Sequence, residues 1–150
     1  NSFLESISKI KAIRCIINQI IRTHGLKMNL YIETSPNPEI LNQKEFDFRL
    51  MSITSTVLAS LLGGANSFEM SNSLLDSDED YWKKIMINIP LILTEESQVK
   101  HDMSQGAHMI EQIAKKMAHT SWGIFKEIEN KNGLIKLIDN KEHINYYGSK

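Results

Sequence analysis

Apolar residues recur along this chain at two spacings, and the switch between them marks out the elements. Over residues 4–24, Leu4, Ile7, Ile10, Ile13, Ile17, Ile20 and Ile21 fall three or four positions apart, which is the period of one helical face. Ser2 and Glu5 form an S-x-x-E capping box at its start, and Gly25 supplies a residue able to take the left-handed conformation that ends a helix. The run "NLYIET", residues 29–34, is short and rich in strand formers, and it stops at the turn signal Ser35-Pro36-Asn37-Pro38. Helical spacing then resumes. A second helix is expected from about Asn42, with Glu45 as its capping partner, burying Phe46, Leu50, Ile53, Val57 and Leu61 and ending at Gly63-Gly64. A second strand, "NSFEMS" at residues 66–71, turns at Ser71-Asn72-Ser73.

The acidic run "DSDED", residues 76–80, precedes a third helix, where carboxylates complement the helix dipole. It lacks the glycine and distal glutamate of a calcium loop, so it reads as a solvated helix start. Pro90 lies inside the following pattern, and an interior proline costs about 3 kcal/mol, which predicts a kink or a break there. The last long helix spans residues 108–129 and buries Ile110, Ile113, Met117, Phe125 and Ile128, and "GLIKLI" adds a short turn or helix from Gly133. Strand, loop, helix, repeated, is the rhythm of a parallel β/α unit. Its chemistry gathers on the loops after the strands, residues 35–42 and 71–80.

Composition narrows the function. A chain of 150 residues reads as one continuous segment with no linker or repeat. With 17 basic against 18 acidic residues and no basic stripe interleaved with aromatics, nucleic acid is not an expected partner. No apolar run approaches the roughly 18 residues that span a bilayer, so no membrane is expected either. The single cysteine, Cys15, cannot form an internal disulfide. Among isoleucines it reads as a buried, inert thiol in a reducing, cytoplasmic setting. The chain opens on Asn1 rather than methionine, which leads us to expect further sequence upstream. His101, Asp102 and His108 fit no common zinc spacing and read as a surface loop. Met51, Met70, Met86, Met109 and Met117 read as core filler, and Trp82 and Trp122 as packing residues.

Several ordered segments together resemble the methylmalonyl-CoA mutase family, in particular its small subunits. "KIKAIRCI" is similar to the family's "K-[ILM]-R-A-A-R" helix, "YIETS" falls where catalytic members carry "H-[ST]-Q-T-S-G", and "LGGANSFEMSNS" falls at "GGTQSLHTNS". "NIPLILTEES", "HDMSQGAHMIEQI" and "WGIFKEIENKNGLIKLI" follow in the family's order, so the likeness covers residues 9–138. The ending "HINYYGSK" has no counterpart.

The resemblance implies an α/β fold, the helix-rich later portion of a (β/α)8, TIM-type barrel. It also implies where a substrate pocket lies: Tyr31, Thr34, Ser35, Gly64, Asn66 and Glu69. In catalytic members a histidine stands at the place of Tyr31 and donates to the substrate's thioester carbonyl. Asn66 replaces a glutamine and Glu69 a histidine, and a carboxylate cannot do the work of a neutral imidazole beside an acidic substrate. Thr34, Ser35, Gly63, Ser67, Asp102, Gly106 and Glu111 are retained. The cobalamin-binding pattern D-x-H-x-x-G does not occur. What the resemblance implies is therefore a noncatalytic small subunit with a degenerate pocket, no catalytic residue, no metal and no bound cofactor of its own. Its expected partner is the catalytic large subunit, which carries adenosylcobalamin, in a hetero-oligomer. Two other readings stand beside it: an acyl-CoA mutase of altered specificity, and an unrelated helix-rich interaction module.

Overall fold

A computed structural model describes residues 2–37, 45–69 and 79–139 of the chain. Helix α1 spans Phe3–Thr23 and begins as its sequence dictates: the Ser2 hydroxyl accepts from the Glu5 amide while the Glu5 carboxylate accepts from the Ser2 amide. Gly25, at φ 63°, turns the chain after it. Strand β1 (Glu33–Thr34) leads to helix α2 (Phe46–Gly63), and strand β2 (Ser67–Phe68) returns parallel to β1, with Glu33 opposite Ser67 and Thr34 opposite Phe68. Helix α3 (Glu79–Leu91) runs into a π-helical turn, Ile92–Glu96. Helices α4 (His108–Asn130) and α5 (Gly133–Asp139) complete the described residues.

The result is a helix-rich α/β chain with a small parallel sheet, and the described residues contain no closed barrel. Both strands are shorter than the six residues their composition suggests: only two residues of each enter the ladder, and residues 29–32 are not strand. With a single neighbour, a strand has few ladder bonds to lengthen it. The expected cap at Asn42, the turn at Ser71-Asn72-Ser73 and most of the acidic run lie outside the described residues. Glu45 itself occupies the N-cap of α2, without a side-chain cap bond.

α1 packs against α2 and α4, α3 against α2, and α5 against α4. One core joins Ile53 and Val57 of α2 to Trp82, Met86 and Ile89 of α3 and to Leu93. Another joins Ile7, Ala59 and Ile110, and a third joins Ile10, Ile32 and Ala65 beneath β1. The buried face of α1 differs from its isoleucine stripe. Ile7, Ser8, Ile10 and Ala12 are buried, whereas Leu4 and Ile13 are exposed. Small residues explain the rotation: Ser8 lets α4 approach closely enough for its hydroxyl to donate to the Ile110 carbonyl at 3.3 Å. Ala12 is the last buried residue of the helix, and Cys15, beyond it, is exposed rather than buried. Ile110 is buried as expected, Ile113, Met117 and Ile128 are half-buried, and Phe125 is exposed.

Met51 and Met109 are also exposed, so only part of the methionine set fills the core. Trp82 is buried, with the Arg49 guanidinium 4.9 Å from its ring centroid, and Trp122 stacks on Phe125 at 5.2 Å. Pro90 does not break α3. α-Helical bonding ends one residue later and the chain widens into the π-turn, where the Thr94 hydroxyl donates to the Pro90 carbonyl at 2.9 Å. Pro90 has no N–H to give the Met86 carbonyl, and the wider bonding begins two residues after it. The left-handed Gln98, φ 53°, follows the turn.

Candidate functional site

The ends of β1 and β2 and the glycine turn before β2 bring most of the expected pocket residues into one region, but in two different roles. Asn66 closes the ladder with its own side chain: Oδ1 accepts from the Ile32 amide at 2.9 Å while the Asn66 amide donates to the Ile32 carbonyl at 2.8 Å. It thus mimics one more pair of strand bonds just before β2. The same oxygen lies 3.4 Å from Arg14 Nη2, and that guanidinium also donates to the Gly64 carbonyl. The Thr34 hydroxyl donates to Ser60 Oγ at 3.0 Å and lies 3.3 Å from the Ser67 carbonyl, tying the sheet to α2. Ser67 donates to the Glu33 carboxylate at 2.9 Å.

Exposure alternates along β1 as a strand with one covered face requires. Tyr31, Glu33 and Ser35 are exposed, Ile32 is buried and Thr34 half-buried. Tyr31 is 67% exposed, and Glu69, whose amide donates to the Thr34 carbonyl at 2.7 Å, extends its carboxylate into solvent. Thr34, Gly64 and Asn66 therefore serve the scaffold, Asn66 while itself exposed, and Tyr31, Ser35 and Glu69 face water. A cavity of about 280 Å³ opens between the end of α2, β2 and Pro90, lined by Ser60, Leu61, Ala65, Asn66, Ser67 and Phe68 among others. Of the six positions only Asn66 reaches it.

Gly64 has a reason to be glycine. It caps α2 at φ 82°, and a Cβ there meets Asp102 Cβ and Cγ at 3.3 Å. Asp102 in turn adopts φ 58°, donates its amide to the Leu61 carbonyl at 2.9 Å and accepts from Lys11 Nζ at 2.6 Å. Lys11 Nζ also lies 3.5 Å from Glu111 Oε1, and its side chain is only 10% exposed. Ser104 adds a bond from its hydroxyl to the Leu62 carbonyl. Neither Lys11 nor Arg14 stands out as a pocket residue from its place in the chain. The available signal is their spacing, since residues three apart on α1 share a face and both lie in "KIKAIRCI". His101 and His108 are exposed, and no group of three or more potential metal ligands occurs among the described residues.

A family model described as methylmalonyl-CoA mutase matches residues 1–145. The methylmalonyl-CoA mutase small subunit of Streptomyces virginiae is 25% identical over 141 residues, covering 87% of this chain and 22% of that protein. The chain thus spans less than a quarter of the length of this curated relative. No described helix is long and apolar enough to cross a membrane.

Proposed function

Because the chain belongs to the methylmalonyl-CoA mutase family, we propose that it is part of a noncatalytic small subunit. Its role is to stabilise the catalytic large subunit that interconverts methylmalonyl-CoA and succinyl-CoA. In this reading the β1-α2-β2 unit belongs to a (β/α)8 barrel completed by other sequence. The observation that carries the proposal is the use of Asn66. Its carboxamide oxygen accepts from the Ile32 amide beside the Arg14 guanidinium, so a side chain standing at a substrate-facing position is spent on holding β1.

Two further observations support it. Tyr31 stands where, by the resemblance, catalytic members carry the histidine that donates to the thioester carbonyl. Glu69 offers an acceptor where the chemistry needs a donor facing an acidic acyl group. Nor do the described residues fit adenosylcobalamin. His24, His101, His108 and His119 are all exposed, and the cavity beside Asn66 is lined by no histidine. Adenosylcobalamin therefore belongs, in this reading, to the large subunit, where it supplies the radical.

Spectral titration of the purified protein with adenosylcobalamin tests the reading, and no saturable change is expected at cofactor concentrations on the order of micromolar. Co-purification with a larger, corrinoid-bearing chain is the positive outcome. Turnover of methylmalonyl-CoA by the protein with added cofactor and no second subunit would overturn the proposal.

A further inference from the structure

Residues 97–107, between the π-turn and α4, form no helix or strand, yet they are fastened to the end of α2. The Asp102 amide donates to the Leu61 carbonyl at 2.9 Å and the Ser104 hydroxyl donates to the Leu62 carbonyl, so two of the last carbonyls of α2 are satisfied from a segment about 40 positions away. The Asp102 carboxylate accepts from Lys11 Nζ at 2.6 Å, and Glu111 Oε1 lies 3.5 Å from the same nitrogen. Two non-glycine residues of the segment, Gln98 at φ 53° and Asp102 at φ 58°, are left-handed. Such a conformation persists only where surrounding bonds hold it.

The segment meets the candidate site at Gly64. Asp102 Cβ and Cγ lie 3.3 Å from the place a Cβ on Gly64 would take, so this side chain packs directly on the turn that opens β2. From the other side the Arg14 guanidinium donates to the Gly64 carbonyl and lies 3.4 Å from Asn66 Oδ1. Lys11 and Arg14 are three apart on α1, so one helix face grips the turn twice, once directly and once through Asp102. We propose that residues 97–107 are a latch closed by the Lys11–Asp102 pair. While it is shut, the turn from Gly64 to Asn66 is held where Asn66 pairs with Ile32, and when it opens, the turn and the entry to β1 open with it. Latch and site form one cooperative unit, which opens while the helical seam stays packed. The latch needs no second chain, since its bonds all lie within the described residues.

Native-state hydrogen exchange of the full-length protein tests the latch at four amides. Asp102 bonds to Leu61, Asn66 to the Ile32 carbonyl and Ile32 to the Asn66 side chain, while Val57, buried in the middle of α2, is the control. Lys11→Met and, separately, Asp102→Asn are expected to speed exchange about tenfold at Asp102, Asn66 and Ile32 together, and to leave Val57 within about twofold of wild type. Lys11→Arg, which keeps the charge, is expected to hold all four near wild type. Faster exchange at Asp102 alone would mean that the segment loosens without moving the turn, and would overturn the latch. Equal acceleration at Val57, or loss of the fold in both variants, would make the pair a support of the whole fold and overturn it too, as would unchanged rates. If only Lys11→Met fails to fold, Asp102→Asn decides, because it keeps the side-chain volume and the amide bond to Leu61.

Discussion

The seam where α1 meets α2 and α4, and the edge where β1 meets β2, are held by opposite means. In the seam, shape sets position: Gly63 lets α2 approach Ile10, Ile7 is 1% exposed, and a buried hydroxyl bond, Ser8 to the Ile110 carbonyl, follows from that closeness. At the sheet edge the ladder among the described residues has only two residues per strand. Side chains supply the missing bonds there, from Asn66 to Ile32 and from Thr34 to Ser60. The difference teaches that polar side chains beside a short strand can be recruited to the scaffold. A polar side chain at a short strand gains more by completing the backbone ladder than by waiting for a ligand.

Substitutions that disturb one region and spare the other sharpen this contrast, and urea unfolding of the full-length protein followed by circular dichroism measures each. Ile7→Ala is expected to cost the most, about 3 kcal/mol, because it empties a fully packed site between α1, α2 and α4. Gly63→Ala comes next at about 2 kcal/mol. Its new Cβ lies 2.9 Å from Ile10 Cδ1 and 3.2 Å from the Ile7 carbonyl, and the carbonyl cannot step aside as a side-chain tip can. Asn66→Ala is expected to cost about 1 kcal/mol and to raise hydrogen exchange of the Ile32 amide selectively, since that donor loses its acceptor. A normal Ile32 exchange rate in this variant would mean that the ladder, not Asn66, holds β1. Tyr31→His is expected to change stability by less than about 0.5 kcal/mol, because the ring already lies in water. A large loss there would show that Tyr31 is part of the scaffold after all.

Much of the fold is legible along the chain. The capping box at Ser2 and Glu5, the end of α2 at Gly63-Gly64 and the start of α4 at His108 follow from local rules, because a helix terminus is satisfied by residues within a few positions of it. The extent of the strands is not local, since a strand lengthens only as far as a neighbour runs beside it. The identity of the buried face of α1 is not local either. Isoleucine spacing points to Leu4 and Ile13, and the packing chooses Ser8 and Ala12 because small residues admit α4. Cys15, read as buried from its apolar neighbours, is exposed for the same reason: its surroundings in sequence are not its surroundings in space.

For the candidate site the division is similar. Which residue types stand at Tyr31, Asn66 and Glu69 is a property of the sequence, because donors and acceptors are intrinsic to a side chain. Only the tertiary structure decided that Asn66 bonds to β1, that Thr34 ties the sheet to α2, and that Lys11 and Arg14 reach Asp102, Glu111 and Gly64 from up to 100 positions away. Those bonds exist because three packed helices bring distant carbonyls and carboxylates within about 3 Å of a donor, a distance that no spacing along the chain encodes.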